Sequence, residues 1–161
     1  MKTIRGHHFG RAAVFAALLL FVAMAFQMVT LSSAQKAMRQ DTLKLITASG
    51  THAFTIEIAE KDEDKARGLM FRNALADDKG MVFPFTETRM ASFWMKNTFI
   101  PLDIIFVRAD GSIENIAMNT IPYSTDPVES TAPVAAVLEL RGGLTAELGI
   151  KAGDKVRWTA K

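Results

Sequence analysis

The chain has 161 residues, with 19 Lys and Arg against 17 Asp and Glu, three His and no Cys. The missing thiol excludes disulfides, a thiolate nucleophile and lipid attachment through a cysteine, so stability has to come from packing. No GxSxG elbow, P-loop or dinucleotide-binding glycine pattern occurs, so the common signatures of hydrolases and nucleotide enzymes are absent.

The N-terminus carries Lys2, Arg5 and Arg11, then the uncharged run AAVFAALLLFVAMAF at 12–26, then Ser32 and Ala34 at the −3 and −1 positions of a cleavage site. A basic start, an apolar stretch and small residues at the exit make up a secretory signal, so residues 1–34 are expected to be removed on export. The alternative is a retained membrane anchor, since from Ala12 to Leu31 only Gln27 is strongly polar and about 20 residues span a bilayer. The expected location is periplasmic or extracellular, or membrane-anchored by this segment alone. Removing residues 1–34 takes away three basic residues and no acidic ones, leaving 127 residues with a net charge near −1. That length suits one domain, and that charge offers no basic field for nucleic acid.

After a flexible lead-in at 35–42, Leu43–Thr47 and His52–Ile58 read as a hairpin about Ser49-Gly50. In the second strand His52, Phe54, Ile56 and Ile58 share one face. His52 is the one His left after removal of the leader, and a lone His on an apolar face reads as structural. EKDEDKARGLM at 60–70 reads as a short helix, acidic at its start and basic at its end, with Gly68 as its stop. Met81–Phe85 reads as a strand closed by Pro84 and the polar residues after it. Arg89–Asn97 and Leu102–Arg108 read as two more, and Asp110-Gly111 turns the chain back along Ser112–Met118. Ile121–Pro133 is the longest loop and a candidate contact with an envelope protein. Val134–Leu140, a helical turn after Gly142-Gly143, and a last strand from Lys155 complete the domain, 43–161. Many short strands with Gly and Pro punctuation and little helix predict a mainly β domain, a sandwich or partly closed barrel.

Asp77-Asp78, and Asp126 with Glu129, are acidic turns without EF-hand spacing, and neither a metal nor a cofactor is expected. The stretch FWMKNTFIPLDIIF at 93–106 is more informative. Both faces of Leu102–Arg108 are apolar except at Asp103, and Glu139 interrupts Val134–Leu140 in the same way. Acids embedded in such strands must be hydrogen-bonded, paired or facing a cavity. Asp103 reads as a structural group. Arg72, Trp94, Lys96 and Asn97 are candidates for binding a ligand, with Trp94 offering a stacking face. A hydrolase using Asp103 and Glu139 as acid and base is the alternative, provided that their carboxyl groups lie about 5–10 Å apart.

The blocks GLMFR at 68–72, GMVF at 80–83, FWMKNTFIPLDIIF at 93–106, DGSI at 110–113, LELRGG at 138–143 and GDKV at 153–156 resemble those of domain-of-unknown-function family 192, in the family's order. The resemblance implies a compact, mainly β domain, often behind an export signal, and brings no catalytic assignment. The functional expectation is therefore a non-enzymatic module binding a small or polymeric ligand of the cell envelope.

Overall fold

The computed structural model describes residues 38–159, so the leader and its cleavage site lie outside the described residues. Seven strands form one curled sheet, a half-barrel, in the order β6-β5-β8-β3-β2-β1-β9. The strands are β1 (Arg39–Thr47), β2 (Gly50–Ile58), β3 (Lys79–Arg89), β5 (Leu102–Val107), β6 (Ile113–Ala117), β8 (Val134–Arg141) and β9 (Lys155–Arg157). Two short strands, β4 (Ser92–Phe93) and β7 (Val128–Glu129), pair separately. The helices are α1 (Asp62–Arg67) and α2 (Leu144–Glu147). Of the two forms expected, the open barrel is the one adopted.

The hairpin of β1 and β2 forms in the expected alternation, with Phe54, Ile56 and Ile58 buried. Its first strand starts at Arg39, inside the stretch read as a flexible lead-in, because Arg39 pairs across to Ile58 and its guanidinium meets Glu60 at 2.6 Å. β2 and β3 run parallel, and the crossover between them carries α1, whose chain stops at Gly68 with φ 49°. The helix buries none of its residues, so it is a surface turn held by its ends.

Two strand boundaries differ from expectation. β3 does not close at Pro84; it continues to Arg89 with a register shift beyond Pro84, where the missing N–H is accommodated by the irregularity. The stretch 89–97 is not one strand. After Phe93 it turns, and Asn97 sits at φ 54°, a left-handed conformation that Asn tolerates and a strand does not contain.

β5 and β8 are the centre of the molecule, buried along almost their whole length. They separate two apolar cores. On one side Ile105, Val107, Leu138 and Leu140 pack with Leu43, Ile56, Val156 and their neighbours. On the other side Ile104, Phe106 and Val137 pack with Met81, Phe83 and Met95. A sheet covered on both faces explains why these strands read as unbroken apolar runs, and it makes any acid within them conspicuous.

Candidate functional site

Asp103 and Glu139 sit on adjacent strands but point to opposite faces of the sheet. In an antiparallel pair, residues directly across from one another share a face. Asp103 lies across from Leu140, on the first core, and Glu139 lies across from Ile104, on the second. Their carboxyl groups are thus separated by the sheet itself, and the acid–base pair considered from the sequence is not assembled.

The environment of Asp103 is saturated. One oxygen accepts the backbone N–H of Asn119 at 2.7 Å and of Gly143 at 2.8 Å. The other accepts the backbone N–H of Thr145 at 2.7 Å and its hydroxyl at 2.6 Å. The amides at the start of α2, which have no partner within the helix, are met by this side chain. Asp103 therefore fastens the turn after β8, and the chain leaving β6, to the middle of the sheet. These four bonds occupy the carboxylate within the fold.

Glu139 is the opposite case. Its residue is 5% exposed and its Oε2 has no hydrogen-bond partner among the described residues. Burial pushes the carboxyl up to about 8, and the charge of Arg72 only partly opposes this. A buried carboxyl without partners is costly to ionise, so the proton stays on near neutral pH. Arg72 is not available as a direct partner, because it makes two bonds to Glu57, at 2.7 and 2.6 Å.

Glu139 forms part of the lining of a cleft of about 460 Å³. Its walls are apolar: Phe83 and Phe85 come from β3, Phe93 and Trp94 from β4 and the residue after it, and Leu69 and Met70 from the turn after α1. Phe83 and Phe93 pack edge to face at 5.1 Å, which fixes two of these walls. Trp94 is 51% exposed, leaving indole surface free to meet another molecule. A methyl group built on Gly68 would lie 3.3 Å from Phe83 and 4.0 Å from Glu139 Oε2, so the backbone of this glycine passes close to the acid.

The charged lining residues are mostly cationic. Lys65 and Arg67 come from α1, and Arg89, from the end of β3, stacks on the Phe85 ring at 4.2 Å. Among the described residues that line the cleft, Glu139 is the sole acid. The volume and the aromatic walls with a few polar groups have the character of a small-molecule site.

Of the four ligand-binding candidates read from the sequence, Trp94 lines the cleft. Lys96 does not line it, but its ammonium lies 5.1 Å from the centre of the Trp94 ring and adds positive charge beside it. Asn97 holds a turn: its carbonyl accepts the Phe71 N–H at 2.9 Å, tying two loops together. Arg72 does not line the cleft and is engaged with Glu57. The long loop at 121–133 lends Thr125 and Pro127 to the cleft wall, and Asp77 of the acidic turn pairs with Arg141 at 2.5 Å. Sequence reasoning passed over Lys65, Phe85 and Arg89. The strand expected over Met81–Phe85 stops short of Arg89, which the longer β3 brings to the cleft.

The domain matches, over residues 44–158, the profile of the family described as Uncharacterized ACR, domain of unknown function 192, and the chain belongs to that family. It is similar to the crystal structure of a protein of unknown function from Novosphingobium aromaticivorans DSM 12444, with 46% identity and a TM-score of 0.75, covering 78% of this chain and 89% of that one. It is also similar to a crystal structure from Sinorhizobium meliloti 1021 described as a candidate transcription regulator, with 42% identity and a TM-score of 0.75, covering 78% of this chain and 98% of that one. Comparison with curated proteins gives no match.

Proposed function

We propose that this member of domain-of-unknown-function family 192 is a binding module that takes a small organic ligand into the cleft above Glu139. The observation that carries this reading is the buried Glu139 carboxyl, whose Oε2 has no hydrogen-bond partner among the described residues and which forms part of the lining of an aromatic cleft. A buried polar atom without a partner costs about 1–3 kcal/mol, and a ligand that supplies the missing hydrogen bond recovers that cost on binding. The half-exposed Trp94 gives such a ligand a flat apolar surface, and Lys96 stabilises the charge distribution of the ring from beside it. The basic, apolar and small-residue pattern of residues 1–34 supports a meeting with this ligand outside the cytoplasm.

A binding role fits better than catalysis because, among the described residues, no second carboxyl lines the cleft with Glu139; Asp103 is on the other face. The test is thermal denaturation against a panel of small amphipathic compounds. Compounds that raise the melting temperature of the wild type by several degrees are expected to have no effect on Trp94→Ala. That variant itself should melt within about 3 °C of the wild type, since the side chain is half-exposed. Equal stabilisation of both proteins would place binding elsewhere and overturn the reading.

A further inference from the structure

The lining of the cleft restricts the class of ligand. Its buried polar group and its more exposed polar groups are of different kinds, and aromatic rings share the lining with them. Deep in the cleft, Glu139 presents an oxygen with no partner, in a residue that is 5% exposed. Because burial holds the carboxyl in its protonated form near neutral pH, it can both donate and accept a hydrogen bond. The complementary group is an uncharged one with the same capacity, a hydroxyl or an amide.

The outer part of the lining carries Lys65, Arg67 and Arg89, with Lys96 adjoining through the Trp94 ring. Among the described residues, Lys65 and Arg89 have no carboxylate within ion-pairing distance. Arg89 is held in place by stacking on Phe85, which points to a guanidinium kept at the cleft without an anionic partner of its own. A ligand cation would meet several like charges here, whereas an anion would meet only favourable ones. The Phe85, Phe93 and Trp94 rings of the same lining suit a planar body.

We infer that the ligand is a planar amphipathic acid: its anionic head lies by Lys65 and Arg89, its ring lies on Trp94 and Phe93, and an uncharged hydroxyl or amide at its far end meets Glu139. This rests on the cleft being a ligand site and adds the charge and polarity of the occupant.

Three compounds of similar size separate the elements of this inference. 3-(4-Hydroxyphenyl)propanoate carries all three features, tyramine reverses the charge of the head, and 3-phenylpropanoate lacks the hydroxyl. Binding to the full-length chain is read by indole fluorescence and calorimetry at pH 7. The hydroxylated acid is expected to bind at least tenfold more tightly than tyramine and several-fold more tightly than 3-phenylpropanoate. In the double variant Lys65→Gln, Arg89→Gln the preference over tyramine should shrink to within about threefold. In Glu139→Met, which replaces the buried acid with an apolar side chain of similar length, the two acids should bind equally.

Tyramine binding as tightly as the acid, with the Trp94 response intact, would overturn the charge assignment and leave the cleft as a ligand site. A hydroxyl preference that persists in Glu139→Met would overturn the role given to Glu139. Failure of all three compounds to bind would overturn the inferred class. Failure of the wider amphipathic panel as well would remove the cleft reading itself.

Discussion

Replacing Asp103 with Ala is expected to lower the stability of the domain by about 3–5 kcal/mol. The carboxylate accepts four hydrogen bonds within 2.6–2.8 Å, three from backbone amides and one from the Thr145 hydroxyl. Removing it leaves those donors facing a buried, 0%-exposed position with no acceptor. Asp103→Asn should recover only part of the loss. Its single amide oxygen can serve one side of the constellation, while its NH₂ would face N–H groups on the other. Thr145→Val, which removes one donor and keeps the shape, should cost about 1–2 kcal/mol. Urea denaturation of the three variants checks the order Ala, then Asn, then Val. A loss below about 1 kcal/mol for Asp103→Ala would mean that the turn at 142–145 is held by something else.

Glu139→Gln is expected to remove a pH dependence of stability rather than stability itself. The folded-state pKa of about 8 lies above the ordinary value of 4.5, so between these two values the folded protein holds a proton that the unfolded chain has released. Stability therefore falls as pH rises through this window. It is highest below about 4.5, declines steadily, and levels off above about 8. The full difference is on the order of 3–5 kcal/mol for a buried carboxyl with a shift of this size. Gln at 139 cannot ionise, so the difference in stability between wild type and variant should grow in favour of the variant from pH 5 to pH 9. Taking the difference cancels the titration of other groups common to both proteins. Parallel stability curves across this range would show that Glu139 is either ionised in the folded state or reached by water.

These two acids look alike in sequence, each a single carboxylate in an apolar strand, and the structure gives them opposite fates. The alternation of Leu102–Arg108 and Val134–Leu140 is enough to show that both are embedded in covered strands. It could not say that the two side chains face away from each other, because that depends on register between β5 and β8. Register is a tertiary quantity: sliding the pairing by one residue would put Asp103 across from Glu139. The family blocks and the pattern of short strands carry the β architecture, and Trp94, a candidate from the sequence, lies in the lining of the cleft. Lys65 and Arg89 were not found, since they reach the cleft only because the α1 crossover and the long β3 strand bring two distant surface positions to one edge. The strand expected over 89–97 fails for a local reason. The left-handed conformation of Asn97 turns a run that looks like a strand into a loop anchor, and an Asn between Lys96 and Thr98 gives little warning of it.

If, as proposed, the cleft beside Trp94 and Glu139 receives a small ligand, the protein carries its own control for binding there. Its two tryptophans lie on different parts of the fold: Trp94 lines the cleft, while Trp158 packs against the core on the other side of the sheet. In a ¹H–¹⁵N spectrum their indole N–H signals are two separate peaks. Titration with an amphipathic acid that stabilises the protein should move the Trp94 signal saturably and leave the Trp158 signal in place. If the Trp94 signal stays fixed while Trp158 moves, or if both move together without saturating, the cleft is not the binding site.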